Sequence, residues 1–469
     1  MITGVSAWTR SAATADPSAA AYRAAVAGLQ DELGALPAGE PVRLRKRTSN
    51  LFRVRRRAGG SALDVDAFAG VLSIDPDARS ADVLGMTTYR DLVTATLPHG
   101  LAPLVVPQLG TITLGGAVAG LGIESTSFRA GYPHESVLEM DVLTGDGRVV
   151  TARRDNEHAD LFIGFPNSYG SLGYALRLTI ALEPVAPYVR LRHLRFSDPE
   201  PAADALASIT RTRTWQGEPV DYLDAVALAP DRVVVVLGRG VPSAPYTSDY
   251  TGTKVFWRSL AERSEDYLSI HDYLWRWDTD WFWCSRGLGV QHPAIRPLVP
   301  RALKRSEGYW AAIAALRRSR AIDAYDRVRG RQREFVIQDV EIPVGRLPEF
   351  LARFDAEVGM RPVWLCPIRQ HDPGVRWTLF SLDPHTTYVN VGFWGSVDVP
   401  VGTPAGTLNR RVEALVTECA GHKSLYSDSF YSREEFARLY GGEDYAELKA
   451  RYDPGSRLPD MYDKCVAAR

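Results

Sequence analysis

The chain has 469 residues, enough for two or three domains, and its 45% apolar and 24% charged residues are typical of a folded globular protein. Its formal net charge of -1 gives no overall attraction to nucleic acid, so no nucleic-acid partner is expected. The four cysteines form no CxxC pair, which argues against a structural zinc site or a disulfide framework, and no metal is expected. The chain begins without a signal-peptide pattern, and no apolar run approaches the roughly 20 residues that span a bilayer. We therefore expect a cytoplasmic protein with at most peripheral contact at the inner face of the membrane.

The predicted elements change in character along the chain. Residues 1–40 are a helical lead, because alanine and leucine recur at helical spacing over 19–36. Residues 41–185 hold short β-rich runs separated by Gly, Asp and Pro. Their clearest strands are predicted at 70–75, 136–143 and 176–182, with a helix at 89–97.

Residues 186–420 form a second region, and residues 421–469 form a C-terminal segment. In the second region, the sequence pattern predicts strands at 232–237, 335–342 and 387–393 and helices at 310–317 and 347–358. In the C-terminal segment, it predicts helices at 433–440 and 444–451. Because strands and helices do not alternate regularly, we predict an α+β fold rather than a doubly wound parallel sheet.

A glycine-rich segment at residues 107–122 reads PQLGTITLGGAVAGLG. Its glycines do not fit the G-x-G-x-x-G dinucleotide motif, and no Gly-Lys-Ser follows as in a Walker loop. Its small residues would let the backbone approach a flat or phosphorylated ligand closely. Taken alone, the segment is equally well explained as a turn and a close helix contact.

The residues that follow favour the ligand. A strand and turn at 138–147 and the sequence DLFIGFPNSYGSLG at 160–173 come next. This succession resembles the FAD domain of the vanillyl-alcohol oxidase and p-cresol methylhydroxylase (PCMH) superfamily. The resemblance implies a two-subdomain FAD-binding fold over residues 41–185, a substrate or cap domain of α+β type over 186–420, and a C-terminal segment, 421–469, that returns to the flavin site.

The resemblance also implies which residues contact FAD. A first set of residues is expected to contact FAD through backbone N–H groups and close approach. A second set is expected to add further contacts, and a third set lies in the segment beside the adenosine half and the pyrophosphate. The three sets are Thr113, Gly115, Gly116, Gly120 and Gly122; Glu124, Ser125, Ser127, His134, Ser136 and Val137; and Gly170, Ser171 and Gly173.

A basic stretch precedes these sets. Residues 43–57 carry eight Arg or Lys in fifteen positions, where the superfamily usually has a run of glycines that binds the pyrophosphate. Main-chain amides at Thr48, Ser49 and Asn50 could still hold a phosphate beside these charges. A solvated face and a contact with anionic lipid are the alternatives. Residues 43–57 contain no His and residues 107–137 no Cys, so the resemblance implies non-covalent FAD.

The similarity continues beyond the cofactor domain. Residues 106–127, 160–173, 335–343, 362–367 and 425–436 look like the delta-24 sterol reductase branch of the superfamily. The sequences TSNLF at 48–52 and PHESVLEM at 133–140 resemble actinobacterial flavoproteins that complete methyl-branched fatty acids such as tuberculostearic acid. This resemblance implies fatty acid biosynthesis: reduction of the methylene branch of a 10-methylene fatty acyl chain to a methyl branch. It also implies a lipid acyl substrate and a functional partnership with a fatty-acyl methyltransferase. NADPH is the expected electron donor, and another donor stays open because no separate nicotinamide motif is visible in the sequence.

Reduction of an isolated alkene needs an acid as well as a hydride donor. A proton must reach the less substituted carbon, so that hydride from flavin N5 can add to the more substituted one. The candidates are His422, Lys423 and Tyr426 in the C-terminal segment, where Lys423 could instead stabilise the reduced flavin, and Asp339. His422 could equally be a hydrogen-bonded surface or core histidine. Asp339 and Glu341 share one face of a strand, which could be solvated or could face the pocket.

Residues 273–283 hold four tryptophans within nine positions. Such a cluster could be core, the wall of an acyl tunnel, or an interfacial patch that takes substrate from a bilayer. Arg276 and Arg286 beside it are candidates for holding a phospholipid headgroup.

Three classes of function stay open from the sequence. The first is the lipid alkene reductase, with a delta-24 sterol-type reductase as a close variant. The second is a flavin oxidase or dehydrogenase of a small alcohol, lactone or hydroxy acid, and fold alone does not separate it from the first. The third is a catalytically idle partner of a methyltransferase.

Overall fold

Two antiparallel sheets organise the chain. The computed structural model describes residues 17–46, 52, 60–252, 254–308, 326 and 329–466. In this part of the chain, the strands of the first sheet and its neighbouring parallel pair are β1 (Val42–Arg45), β2 (Ser61–Asp64), β3 (Val71–Asp75), β4 (Ser80–Leu84), β5 (Leu101–Pro103), β6 (Val137–Leu143), β7 (Val149–Ala152) and β8 (Tyr174–Pro184). Strands β1 and β2 form the parallel pair, and the sheet order is β3-β4-β8-β6-β7 with β5 also paired to β8.

Strand β8 is the centre of the first sheet. Leu176, Leu178, Ile180 and Leu182 alternate with less buried residues along it, so one face of the strand supplies the core. The helices beside this sheet are Pro17–Gly34, Tyr89–Thr96, Leu114–Ala119 and Ala159–Gly164, whereas the short helix Ser127–Ala130 packs against the second sheet. Most of them are short because glycine and proline interrupt this part of the sequence.

The second sheet follows at Tyr188. Its strands are β9 (Tyr188–Phe196), β12 (Tyr222–Ala229), β13 (Arg232–Val241), β14 (Glu265–Ser269), β15 (Gln332–Pro343), β16 (Val363–Ile368), β17 (Tyr388–Val399) and β18 (His422–Lys423), in the order β14-β9-β13-β12-β16-β17-β15-β18. A small hairpin of β10 (Thr214–Trp215) and β11 (Glu218–Pro219) lies apart from it.

The two faces of the second sheet have different partners. Helices Pro199–Thr212, Leu347–Glu357 and Thr407–Glu418 cover one face, where Val233 and Val235 of β13 are buried. The other face carries a cluster of aromatic side chains that also contacts the glycine-rich segment. The remaining α-helices of the described residues are Phe256–Glu262, Ile270–Leu274, Arg301–Lys304, Arg433–Leu439, Gly442–Tyr452 and Met461–Cys465.

The C-terminal segment joins both sheets. Strand β18 pairs with β15 at the edge of the second sheet. The following helices return to the first sheet, where the amide of Val42 donates to the carbonyl of Arg457 (2.8 Å) and the amide of Gly145 to that of Tyr452 (2.8 Å). In the described residues, the chain has no helix that is both long and apolar enough to cross a membrane.

The predicted α+β organisation is confirmed, as are the strands predicted at 70–75, 136–143, 176–182, 232–237, 335–342 and 387–393. The helices predicted at 89–97, 347–358, 433–440 and 444–451 are confirmed to within two residues at each end. The helix predicted at 310–317 lies outside the described residues, and the three borders between the four predicted segments stay predictions.

Candidate active site

A cavity of about 1070 Å³ lies between the first sheet and the aromatic face of the second. This volume is at the upper end of the usual range for small-molecule sites, so it suits a large ligand. Strand β1, the glycine-rich segment, the start of β8, the strands β15 to β17 and the C-terminal segment all contribute to its wall. From the glycine-rich segment and the turn that precedes β8, the lining includes seven of the predicted cofactor contacts: Thr113, Gly115, Gly116, Gly120, Gly122, Gly170 and Gly173.

Thr113 sets the geometry of the glycine-rich segment. Its hydroxyl caps the helix Leu114–Ala119 by accepting from the amide of Gly116 (3.2 Å), and it also accepts from Lys46 Nζ (3.2 Å). The amide of Gly115 donates to the carbonyl of Gly85, and that of Gly120 to the carbonyl of Gly116, both at 2.9 Å. These three amides therefore have acceptors within the protein, and the expected contact of these residues with a cofactor stays a prediction. Because these glycines have no side chain, a ligand can come close to their backbone.

The need for glycine is steric at two of these positions. A Cβ at Gly115 would lie 2.8 Å from the carbonyl oxygen of Gly85, so a side chain would separate the helix from the sheet. Gly173 has a φ of +153° and a Cβ there would lie 2.7 Å from the carbonyl oxygen of Leu143. Both glycines hold the cavity wall close to the first sheet.

Basic side chains line the same part of the cavity. Arg43, Arg45 and Lys46 reach it from β1 and the residue after it, and Lys464 reaches it from the C-terminal helix, where its ammonium group also donates to the carbonyl of Tyr169. Four cations beside a glycine-rich wall are suited to a phosphorylated ligand.

Aromatic side chains form a second part of the lining. Phe52 stacks on Trp281 with ring centres 4.9 Å apart, and Phe282 packs against Trp394 (4.3 Å) and Trp364 (5.3 Å). With Leu109, Ile112, Leu121 and Ile123, these rings make an apolar compartment next to the basic one. A ligand with a charged half and an apolar half would match this division.

One carboxyl group lies in the aromatic part. Asp339 of β15 lines the cavity, accepts from Asn390 Nδ2 (3.1 Å) and is hydrogen-bonded to Tyr426. Removal from water raises the pKa of Asp339 to about 7, although the hydrogen bonds from Asn390 and Tyr426 favour the charged form. Tyr426 also lines the cavity and accepts from Trp394 Nε1 (2.9 Å). Asp339 can thus give or take a proton near neutral pH, with Tyr426 fixing its position.

The strand opposite makes room for this carboxyl group. Gly392 of β17 pairs directly with Asp339, and a methyl group on Gly392 would overlap the Asp339 carboxylate. Glu341, two residues along β15, is fully buried and accepts from the hydroxyl of Ser424 (2.9 Å). Burial raises the pKa of Glu341 well above its ordinary value, which favours the protonated form. Asp339 and Glu341 therefore share a face, and that face is turned to the protein interior.

Several predicted cofactor contacts lie away from this lining. Ser125 bonds Tyr273 through their hydroxyls (2.8 Å), Ser127 accepts from the amide of Glu124, and His134 packs between Tyr132 and Trp377. Burial lowers the pKa of His134 to about 3. Ser136 donates to the carbonyl of Pro133, and Val137 and Ser171 are buried behind the wall. Thr48, Ser49 and Asn50 lie outside the described residues.

Glu124 has a structural partner instead. Its carboxylate accepts from the Arg276 guanidinium (2.7 Å), which also donates to Asp224 of β12 (3.0 Å), and all three side chains are buried. Asp224 accepts in addition from the indole N–H groups of Trp277 and Trp364. Arg276 is thus not available to a phospholipid headgroup, and the tryptophans at 273–283 are core or cavity wall rather than an exposed patch.

Two predicted acids are placed differently from expectation. His422 packs between Phe380 and Tyr440, and burial lowers its pKa to about 4, so it is uncharged at neutral pH. Lys423 is fully buried and donates to Glu413 and to the carbonyl of Asp428, both at 2.6 Å. Of the four predicted catalytic residues, the structure brings Asp339 and Tyr426 to the cavity and places His422 and Lys423 behind its wall.

The sequence analysis did not identify Trp364, Trp394 and Gly392 as site residues. Trp364 and Trp394 lie on directly adjacent strands, and Gly392 pairs with both Trp364 and Asp339. A glycine in the middle of a β-rich run indicates that another group comes close to the strand. Gly392 could therefore have indicated the carboxyl group of Asp339 on the neighbouring strand.

The FAD binding domain family matches residues 24–153, which include the glycine-rich segment and the strands β1 to β7. With the two-sheet fold and the cavity, this match supports an FAD-dependent oxidoreductase with an α+β fold of the PCMH type. The chain is 25% identical to delta(24)-sterol reductase of Homo sapiens over 419 residues, which cover 87% of this chain and 76% of that protein. It is 22% identical to the delta(24)-sterol reductase of Pisum sativum over 470 residues (88% and 78%). It is 37% identical to cytokinin dehydrogenase 6 of Oryza sativa subsp. japonica, over 147 residues (30% and 28%).

These similarities support the sterol-reductase-like branch of the superfamily. The residues of the cavity fit FAD. The basic lining suits its diphosphate, the wall at Gly115 and Gly116 allows the backbone to come close, and the aromatic compartment suits a flat apolar ring system.

Proposed function

We propose that the protein reduces an isolated carbon–carbon double bond in a lipid, and that its substrate is the methylene branch of a 10-methylene fatty acyl chain. The observation that carries the proposal is the Asp339 carboxyl group, with a pKa of about 7, at the wall of an aromatic compartment of an FAD-type cavity. The whole-chain similarity to delta(24)-sterol reductases supports a reductase of a lipid alkene.

The chemistry requires a proton and a hydride. Protonated Asp339 gives its proton to the terminal CH₂ carbon, which becomes the methyl group, so that positive charge develops on the more substituted carbon. When bound in the cavity, FAD in its reduced form would supply the hydride for that carbon. The double bond thereby gains two hydrogens and two electrons, and NADPH is proposed as the reductant that restores the reduced cofactor. Tyr426 and Asn390 hold Asp339 in place, and the Asp339 proton is replaced from water.

The apolar lining supports a lipid rather than a polar substrate. Trp281, Phe282, Trp364 and Trp394 surround the compartment that contains Asp339. Low local polarity excludes water from a cation that water would otherwise capture, so the hydride is the nucleophile that reaches it. The same lining would accept a sterol side chain, which is the close variant of this proposal.

The experiment is an anaerobic turnover. The purified FAD-loaded protein is reduced with NADPH, and a methylene-branched acyl lipid is added while the flavin spectrum is followed. We expect flavin reoxidation and a methyl-branched product in equal amounts by mass spectrometry. A saturated methyl-branched lipid is the control and leaves the flavin reduced. Reduced flavin that persists with every methylene lipid would contradict the proposal, and reoxidation by a sterol alkene alone would select the sterol variant.

A second function deserves the same assay because Asp339 also exists as a carboxylate near pH 7. A carboxylate in this position could accept the proton of a small alcohol or hydroxy acid while hydride passes to oxidised FAD. Bleaching of the oxidised protein by such a compound, without NADPH, would favour this dehydrogenase.

A functional partnership with a fatty-acyl methyltransferase, which would form the methylene or methyl branch, is proposed together with the reductase.

A further inference from the structure

The segment 292–305 exposes apolar side chains next to the cavity wall. Leu298 is 81% exposed, Leu303 58% and Ile295 44%. A 3₁₀ helix, Arg296–Leu298, and the short helix Arg301–Lys304 hold them in one compact stretch, and Gly289 lies against Ile295. Large apolar side chains that project from a folded surface indicate an interaction site.

The charge of the same stretch is one-sided. Residues 281–306 contain five basic and no acidic side chains: Arg286, Arg296, Arg301, Lys304 and Arg305. Arg286, Arg301 and Arg305 are exposed, and Arg301 is paired with Asp249 at one end of the stretch (2.8 Å). Leucine and isoleucine that project among arginines match the interface of a bilayer with anionic headgroups.

The exposed stretch is fixed to the cavity wall by buried contacts. Arg296 pairs with Asp280 (2.7 Å), and the amide of Asp280 donates to the carbonyl of Lys304 (2.8 Å). Lys304 Nζ donates to the carbonyl of Gly252 (2.9 Å). Asp280 is followed at once by Trp281 and Phe282, which line the aromatic compartment. These contacts connect the exposed stretch directly to the wall of that compartment.

We infer that residues 292–305, with Arg286, are a docking surface for a membrane that carries anionic lipid. The apolar side chains would enter the interface, and Arg286, Arg301 and Arg305 would lie at the headgroup phosphates. The inference rests on the proposed function in one respect: a lipid substrate gives the docking its purpose, because it brings the aromatic compartment to the bilayer that supplies the acyl chain.

Vesicle co-sedimentation of the full-length FAD-loaded protein tests the docking. The probes are vesicles of phosphatidylcholine alone and vesicles that also contain phosphatidylglycerol. We expect binding to the mixed vesicles, weakened by high salt, and a loss of about tenfold or more in the double variants Leu298→Ser/Leu303→Ser and Arg286→Glu/Arg305→Glu. The matched control is Val401→Ser, which removes an apolar side chain that is 71% exposed elsewhere on the surface, and it should bind as the parent does.

Three outcomes would overturn the inference: no binding by the parent protein, undiminished binding by the two double variants, or an equal loss in Val401→Ser. Loss of self-association in place of vesicle binding, seen by size-exclusion chromatography, would assign the surface to a second copy of the chain. Reduction of a detergent-dispersed methylene lipid is measured in parallel and should be unchanged in the variants. Docking without any alkene reduction would refute the proposed function and leave the docking surface standing.

Discussion

Among single residues, Asp339 is the one on which the proposed proton transfer to the double bond depends. Its carboxyl group is the titratable group that combines a place in the aromatic lining with a pKa near neutrality. The alternation of β15 turns it inward, Gly392 leaves the space that it occupies, and Tyr426 and Asn390 bond it. This arrangement is what a general acid at neutral pH requires.

Replacing Asp339 with asparagine removes the acid while keeping its size. We expect the rate of flavin reoxidation by the lipid to fall by about 10²–10⁴-fold, the usual contribution of a general acid, with the flavin still bound. Stopped-flow absorbance measures the rate, and the flavin spectrum measures occupancy. Asp398→Asn, at the exposed end of β17, is the control and should keep the parent rate. A D339N variant with the parent rate would remove Asp339 from the mechanism.

Replacing Tyr426 with phenylalanine tests the coupling of the two groups. The hydrogen bond from Tyr426 favours the charged form of Asp339, so its loss should raise the pKa of Asp339 further. The midpoint of the pH–rate profile should then move to higher pH. A midpoint that stays in place or moves lower would show that Tyr426 does not act on Asp339.

At the scale of elements, the helix Leu114–Ala119 holds the glycine-rich wall against the first sheet. Gly115→Ala should destabilise the protein by about 1–3 kcal/mol, as is usual for an added methylene in a packed region, and weaken FAD binding. Urea unfolding and flavin fluorescence measure the two effects. Gly28→Ala is the control, because no atom lies within 4 Å of a Cβ at Gly28 in the helix Pro17–Gly34. That variant should be more stable than the parent by about 0.5–1 kcal/mol. Equal behaviour of the two variants would contradict the packing described here.

Regular patterns made most of the elements predictable. The alternation over 335–342 predicted β15 and placed Asp339 and Glu341 on one face, and the small residues of 107–122 predicted a close approach. Partners distant in sequence were not predictable in this way. Glu124 is bound by Arg276, 152 positions away, and Lys423 forms an ion pair with Glu413, which lies on a helix that packs beside β18. The local sequence shows that a side chain can act as an acid or a base. Whether that side chain is free to act in the cavity depends on its burial and on the residue that it pairs with in the folded chain.

At the scale of the whole molecule, a buried ion cluster joins the two sheets. Arg276 links Glu124, next to the glycine-rich segment, to Asp224 on β12 of the second sheet. Removing the cation leaves two buried carboxylates without their counter-charge, which costs about 3–5 kcal/mol. We expect Arg276→Met to lower the free energy of unfolding by that amount, as measured by chemical denaturation. The control is Arg286→Met, which removes an exposed arginine and should change the free energy of unfolding little. A small effect of Arg276→Met would mean that the cluster does not hold the sheets together.

The pH dependence of flavin reoxidation by a methylene-branched lipid shows whether the protonated form of Asp339 is the active one. The folded protein holds Asp339 at a pKa of about 7, above the ordinary value of 3.8, so the acid is protonated below pH 7 and loses its proton as the pH rises through 7. For a reductase that uses this proton, the single-turnover rate is constant at lower pH and falls tenfold per pH unit above about 7. The fall should be absent in D339N. A rate that rises through the same pH range would show that the carboxylate, not the acid, is the active form, and would contradict alkene reduction by Asp339.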